Sequence, residues 1–232
     1  MFELLLNLLA KEGLEPTLKV PITDNIFGFV VAPDHVQLAL KWVETQTVFR
    51  QEGQVLYELN KKQQQSLVKV LHRFKEIPLE KKSELLEKVL EGDNSDLATN
   101  LRLTCEAALP SAESKAKVWA ILTDPNSSES LYQKSARISG FYAYNQLDEI
   151  RPYFAKFYEL LPTLFTSQTQ FKFIEAFFYG LLPRVDIRDE DIVKLMTLKL
   201  QQSDNNANFV NTLNDGIELL IRSKEVRKYS LL

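Results

Sequence analysis

Apolar residues recur three and four positions apart along most of the chain, which is the spacing of one face of an α-helix. Glycine, proline, asparagine or aspartate interrupts this pattern about every 15 to 18 positions, as in antiparallel helices joined by short loops. Two helices per roughly 35 residues is the period of an αα-solenoid, although no literal sequence repeat is visible. The pattern therefore predicts an all-α fold, an αα-superhelix of about ten or more helices in one domain that spans residues 1–232.

Local signals place the ends of the helices. Proline is tolerated in a first turn, glycine favours a left-handed cap, and serine, asparagine and aspartate cap helix starts. Glu129 follows Asn126 at the spacing of a capping box, which favours a helix start over the glycosylation signal Asn126-Ser127-Ser128. Helices are predicted in the first ten residues, from Pro33, from Asn60, from Pro78 to Gly92, from Asn94 or Ser95 to Pro110, through Val118 to Leu122, from Asn126 to Phe141, from Ile150, from Ser167 to Leu182, from Asp189, and from Asn206 to Lys224.

Two segments depart from the general pattern. Val20 to Pro33 is the least helical stretch, and its residues 27–31 resemble a strand; we predict a buried loop or irregular helix, with a short strand as the alternative. The helix from Ser167 to Leu182 is the most aromatic. Aromatic residues on more than one side indicate burial between layers, and the lining of a peptide-holding groove is the alternative.

Composition excludes several classes of protein. The 232 residues are 45% hydrophobic and 25% charged, so disordered and collagen-like chains are excluded, and 7 Gly plus 9 Pro are few for an all-β sandwich. The net charge of −3 gives no basic footprint for nucleic acid, and we expect Lys61-Lys62 and Lys81-Lys82 on solvated helix faces. The sequence contains no run of 18 apolar residues, so no membrane span is predicted. Because no leader is visible, we expect a cytoplasmic protein.

Residues for metal or nucleophilic chemistry are scarce. His35 and His72 are far apart and lack the spacing of a zinc site, and Cys105 lies in an apolar stretch where a thiol behaves as a small hydrophobic group. Sequence order leaves a Ser-His-Asp arrangement open, but no Gly-x-Ser-x-Gly elbow and no glycine-rich phosphate loop occur. Three acids at positions 189–191 are better explained by the dipole of a helix start than by a cation site.

Six idiosyncratic segments stand out beyond the general helical pattern: Leu101–Pro110, Ala112–Trp119, Leu122–Ser127, Ile138–Phe141, Ile150–Tyr158 and Phe177–Arg184. In order and spacing they resemble the C-terminal helical domain of the M1 aminopeptidases, the family of aminopeptidase N and the puromycin-sensitive aminopeptidase. The resemblance is best from about Asp93 to Arg184 and is weaker but collinear on both sides.

The resemblance implies a bowl-shaped, HEAT-like superhelix that closes over a separate, thermolysin-like catalytic domain. In that family a His-Glu-x-x-His motif and a downstream Glu hold zinc, and a Gly-x-Met-Glu-Asn segment grips the peptide's N-terminus; this chain contains neither motif. No catalytic or metal-binding residue is therefore carried over, and zinc is expected in the missing catalytic domain. The implied partners are that domain and a peptide substrate.

Three basic residues are candidates for contact with a substrate carboxylate in such a chamber: Arg137, Lys172 and Arg184. The main alternative function is a stand-alone helical-repeat adaptor that binds other proteins and has no enzyme attached. A metal-independent hydrolase is the other alternative, and it would require turnover by the purified chain in the presence of a chelator.

Overall fold

The computed structural model describes residues 1–50, 54–166, 170–202 and 207–230, and helices dominate this part of the chain. Thirteen α-helices are described there, with one 3-10 turn at Tyr144–Gln146. The helices are α1 (Phe2–Leu9), α2 (Pro16–Gly28), α3 (Pro33–Thr45), α4 (Lys61–Leu71), α5 (Leu79–Val89), α6 (Asp96–Ala107), α7 (Ala112–Thr123), α8 (Leu131–Phe141), α9 (Leu147–Ile150), α10 (Pro152–Thr166), α11 (Phe171–Leu181), α12 (Asp189–Gln202) and α13 (Ala207–Ser230). The predicted all-α fold class is confirmed.

The helices pack mainly against near neighbours in the chain, as in a solenoid. Helix α1 packs on α2, α3 on α4, α4 on α5 and α6, and α12 on α13. Helix α8 lies in the middle of the stack and packs on both α6 and α11. The chain is therefore an all-α, solenoid-like stack of helices.

Apolar side chains form two successive buried clusters along this stack. The first draws on helices α1 to α6, and the second begins at Ala107 and continues into α13. Among the most deeply buried members are Leu6, Trp42, Leu67 and Leu71 in the first, and Phe157, Phe177, Phe178, Leu195 and Leu213 in the second. Helix α8 joins the two clusters because it packs against α6 on one side and α11 on the other.

Two glycines allow α8 to lie this close to its neighbours. A Cβ on Gly140 would lie 2.1 Å from the carbonyl oxygen of Thr104 in α6. A Cβ on Gly180 in α11 would lie 2.2 Å from Cγ2 of Ile138 in α8. Any larger side chain at either position would push the helices apart.

Helix starts follow local capping in several cases. Side-chain oxygens of Ser95 and Ser111 accept the N–H of the residue three positions on and so cap α6 and α7. Asn60 and Gln63 form a complete capping box at the start of α4. The predicted starts at Pro33 and Asp189 agree with the structure, while Ser167 and Asn206 lie outside the described residues.

The predicted start of the sixth helix is wrong. The N–H of Asn126 donates to the Asp124 carboxylate at 2.8 Å, so the segment after Pro125 forms a turn. Helix α8 begins at Leu131, where Ser130 and Gln133 form the capping box in place of Asn126 and Glu129. The Asx turn at Asp124 thus takes up the segment where the capping box of Asn126 and Glu129 was predicted.

A short hairpin interrupts the helices between α3 and α4. Strand β1 (Thr47–Phe49) pairs antiparallel with β2 (Val55–Glu58), and Val48 faces Tyr57. The indole Nε1 of Trp42 donates to the carbonyl oxygen of Phe49 at 2.8 Å and fastens the hairpin to α3. The sequence does not predict this hairpin. In the stretch from Val20 to Pro33, predicted as a buried loop or irregular helix, α2 continues to Gly28, and the alternative of a short strand at residues 27–31 is wrong.

Candidate functional site

The best-defined polar cluster lies where α6 meets α8, around the candidate residue Arg137. Its Nε lies 2.8 and 2.9 Å from the two carboxylate oxygens of Glu129, and Nη1 lies 2.8 Å from Oε2 of Glu106. The Arg137 side chain is 6% exposed. Burial opposes charge on these groups, but the ion pairs outweigh it, so the pKa of Arg137 is raised and that of Glu106 is lowered. Arg137 is thus already paired with two carboxylates inside the protein.

A buried lysine fixes the same junction from α7. The Nζ of Lys115 donates to the carbonyl oxygen of Ala107 at 2.6 Å and to that of Phe141 at 2.8 Å. These carbonyls lie at the C-terminal ends of α6 and α8, where the helix dipoles are negative. Burial lowers the pKa of Lys115 to about 7, with Glu149 opposing this shift. Lys115 therefore ties three helices together, and its amine titrates near neutral pH.

Sequence reasoning missed Lys115, although a signal was present. Lys115, Val118 and Leu122 are spaced i, i+3 and i+7, so they share one stripe of α7, and the other two are apolar. All three are buried. A lysine on an apolar stripe indicates a buried amine with internal hydrogen-bond partners.

A groove of about 700 Å³ opens beside this junction, between α7, α8, α10 and α11. Its apolar wall includes Leu122, Leu131, Leu164 and Phe173, and its polar wall includes Asp124, Glu129 and Lys134. Lys134 Nζ lies 5.2 Å from the centre of the Phe173 ring, a cation–π distance. The groove thus offers apolar surface together with charges of both signs, which suits an extended peptide.

The other two candidate residues lie near opposite ends of α11. Lys172 is exposed in its first turn, two residues from Gln170, which lines the groove. Arg184 follows its C-terminal end, is half-buried, and donates from Nη2 to the carbonyl oxygen of Tyr179 at 3.1 Å. Since the two residues are 12 positions apart, about 18 Å along a helix, they do not converge on one ligand group with Arg137.

The aromatic helix α11 faces the core. Phe173, Ile174, Phe177 and Phe178 are buried, and Phe177 stacks on Phe157 with ring centres 5.9 Å apart. Phe173 alone of these four also lines the groove. The helix therefore forms core, as the first interpretation predicts, and its first turn borders the groove.

The histidines and the cysteine occupy separate positions. Nδ1 of buried His72 lies 2.8 Å from the Val68 carbonyl oxygen, and burial lowers its pKa to about 4. The His35 ring stacks on Phe2 at 3.9 Å. Burial raises the pKa of Cys105 to about 12, so its thiol is inert at neutral pH. Across the described ranges no three His, Cys, Asp or Glu side chains are grouped so that they could hold a metal ion.

One of the four lysines expected on solvated faces is placed differently. Lys61 and Lys62 are exposed and Lys81 is half-buried, but Lys82 is only 3% exposed, and burial lowers its pKa. The reason is its position on α5, where it shares a stripe with the buried Leu85, Leu86 and Val89. The expectation for Lys82 was wrong.

Comparison of the chain with protein-family models gives no match, and comparison with curated proteins gives none either. No helix among the described residues is both long and apolar enough to cross a bilayer.

Proposed function

We propose that this chain is the C-terminal helical domain of a zinc-dependent M1 aminopeptidase, which removes N-terminal residues from peptides. In this role it closes a peptide chamber over a separate catalytic domain and has no catalytic activity alone. In this proposal zinc is held by that other domain, where the family carries its His-Glu-x-x-His motif, which this chain lacks. We place the enzyme in the cytoplasm.

One observation carries the proposal: the segments that resemble the family meet in space. Leu101–Pro110 lies on α6 and Ile138–Phe141 on α8, and these touch through Gly140 and Thr104. Lys115, from Ala112–Trp119, donates to both helices. Residues spread over about 40 positions of sequence thus form one contiguous contact network, as a shared architecture requires.

The aromatic contacts extend this network to two further segments, Ile150–Tyr158 and Phe177–Arg184. Trp119 is half-buried, and its ring lies 6.0 Å from Phe141, 5.1 Å from Tyr153 and 5.7 Å from Phe177. These partners belong to Ile138–Phe141, Ile150–Tyr158 and Phe177–Arg184. Trp119 is the point at which four of the six segments come together.

The groove beside the junction gives the proposal a place for peptide. We assign two residues outside its lining as contacts for peptide carboxylates: Lys172, near the rim of the groove, and Arg184, which follows the C-terminal end of α11. Arg137 has an indirect role. Its guanidinium holds the Glu129 carboxylate, and Glu129 lines the groove. The physical work of such a wall is to exclude bulk water and to limit access by folded proteins.

The test is to co-express the chain with the catalytic domain of an M1 aminopeptidase and to measure hydrolysis of an aminoacyl anilide and of a ten-residue peptide. We expect a stable complex whose kcat/KM differs from that of the catalytic domain alone, and no turnover by the chain alone. An unrelated helical solenoid of similar length serves as the control.

Two results would contradict the proposal. The first is turnover by the purified chain with chelator present, which would favour a metal-independent hydrolase. The second is no complex with the catalytic domain together with stable binding to unrelated proteins, which would favour the adaptor.

A further inference from the structure

A second cavity, separate from the groove, lies between α2 and α4 and has a volume of about 510 Å³. We call it the basic cleft. One wall is the face of α2 that carries Asp24 and Phe27, and the other is the face of α4 with Lys62, Ser66 and Lys69. Arg73, just after α4, and two residues of α6 and α8, Thr104 and Ser139, complete the lining.

The cations of the cleft come from one stripe of α4 and its continuation. Positions 62, 66, 69 and 73 are spaced i, i+4, i+7 and i+11, so their side chains lie above one another on one side of the helix. Lys62 and Lys69 are about 10 Å apart along the helix, and Arg73 follows Lys69 by about one turn. Three cationic residues thus line a single cavity, and Arg73 also borders a neighbouring cavity with Glu76, Asp148 and Glu149.

These three cations are not neutralised by ion pairs among the described residues. Lys62, Lys69 and Arg73 form no ion pair within the part of the chain that the structure describes, whereas the neighbouring Lys61 pairs with Asp93 at 3.0 Å. Asp24 is the one carboxylate that lines the cleft, and its Oδ1 already accepts a hydrogen bond from Gln63 Nε2 at 2.9 Å. The cleft therefore carries a net charge of about +2 before any ligand binds.

Arg73 is the least satisfied of the three. Its Nε is buried and lacks a hydrogen-bond partner among the described residues. Burial lowers the pKa of Arg73. A buried, unpartnered guanidinium nitrogen is costly unless a ligand oxygen completes it.

The chemistry of the lining favours a particular anion. An arginine fork alone covers both oxygens of a carboxylate, whereas a phosphate monoester carries close to two negative charges and three acceptor oxygens. Arg73, Lys69 and the Ser66 hydroxyl, on successive turns of one stripe, supply several donors along one wall of the cleft. The remaining volume leaves room for an organic group attached to the phosphate.

We propose that the basic cleft binds a phosphate group, free or as the monoester of a small organic molecule, with Arg73 as its inner contact and Lys69 beside it. Lys62 lies further along α4 and attracts the anion. This site is independent of the proposed peptidase role, since none of its lining residues lines the groove.

The test is calorimetric titration of the full chain at 0.15 M salt with three probes: inorganic phosphate, glycerol phosphate and succinate. We expect both phosphate compounds to bind with one site per chain and succinate, a dicarboxylate of similar charge, to bind more weakly. Tighter binding of glycerol phosphate than of phosphate would identify an ester as the ligand, and the reverse order would identify the free ion.

Three charge-neutralising variants make the test specific. Arg73→Gln and Lys69→Gln should each weaken phosphate binding by roughly tenfold or more, because each removes a charge-assisted hydrogen bond. Lys61→Gln is the matched control, since it removes the same charge from an adjacent position that does not line the cleft. Arg73→Gln should not lower the melting temperature, because it removes an unsatisfied buried group.

Three results would overturn the proposal: no heat or melting-temperature response to either phosphate compound, equal binding of succinate, or an equal loss of affinity in Lys61→Gln. Lys69→Gln keeps the test decisive if Arg73→Gln fails to fold, since Lys69 is half-buried and its ammonium has no ion pair among the described residues.

Discussion

At the scale of single residues, the polar groups inside this protein are held by specific partners. Lys115 has two carbonyl acceptors and Arg137 has two carboxylates. Burying such groups costs free energy, because they lose their contacts with water. Hydrogen bonds and ion pairs inside the protein offset this cost only when their distances and angles are favourable. Their contributions to stability therefore depend strongly on pH or on the loss of a single partner.

Lys115 gives the clearest pH dependence. Its pKa is about 7 in the folded protein and near 10.5 in the unfolded chain, so the unfolded chain binds more protons between these values. Stability therefore rises with pH across this window, by at most about 1.4 kcal/mol per pH unit from this group. Lys115→Met should remove that rise, as measured by urea unfolding between pH 7 and pH 9.5.

The matched control for this experiment is Lys11→Met, at an exposed lysine. It should leave the slope of stability against pH as in the wild type. Parallel curves for the wild type and Lys115→Met would show that the amine of Lys115 is not buried in solution.

Arg137 tests the cost of breaking a buried pair. Arg137→Met leaves Glu129 and Glu106 without their guanidinium partner, and we expect a loss of about 3 to 5 kcal/mol in the free energy of unfolding. Arg222→Met is the comparison, because the Arg222–Glu218 pair is exposed, at 74% and 65%. That change should cost less than about 1 kcal/mol. Similar small losses for both would argue against a buried network at the junction.

At the scale of helices and strands, the sequence predicted elements well where a local signal acted alone. Pro33 and the acids from Asp189 mark helix starts because proline and acidic residues suit a first turn whatever surrounds them. It failed where two local signals competed, as at Asn126, or where tertiary contacts decided the outcome. The hairpin depends on Trp42 donating to Phe49, a contact that no sequence period reveals.

The candidate site was less predictable than the helices. Arg137, Lys172 and Arg184 were chosen by charge and family resemblance, but their partners and mutual distances depend on how α8 and α11 pack. The sequence predicts that Glu129 forms a capping box with Asn126, whereas in the structure it binds Arg137 and lines the groove. Side-chain pairing between helices is set by the three-dimensional fold, so only the stripe position of Lys115 was visible in the sequence.

The contact between α6 and α8 depends on the absence of a side chain at Gly140. Gly140→Ala should destabilise the protein by about 1 to 3 kcal/mol, because the new Cβ would overlap the Thr104 carbonyl and force the helices apart. Gly28→Ala is the control: nothing lies within 4 Å of its Cβ position, so a neutral or slightly stabilising effect is expected. Thermal unfolding measures both, and equal melting temperatures would mean that α6 and α8 lie further apart in solution.

At the scale of the whole molecule, the two apolar clusters are joined across their boundary by α8 and by Gln146. The Gln146 Nε2 donates to the carbonyl oxygens of Arg73 at 2.8 Å and Ala108 at 2.7 Å. Arg73 also lines the basic cleft, and Ala108 follows the helix that packs on α8. Gln146 thus links a residue of the basic cleft to the C-terminal end of α6, at the boundary between the two clusters.

This arrangement allows the proposed chamber role to be tested at a residue on which the fold does not depend. Arg184 is half-buried beyond α11, and its guanidinium makes one described hydrogen bond, to a backbone carbonyl. In a complete enzyme, Arg184→Ala should leave helicity unchanged but alter the ratio of kcat/KM for long and short peptides, because a distal carboxylate contact is made by long substrates alone. Arg222→Ala, on the exposed face of α13, is the control and should change neither value. Identical length dependence in the wild type and Arg184→Ala would remove Arg184 from the substrate-facing wall, while a change shared by Arg222→Ala would point to bulk charge instead of a specific contact.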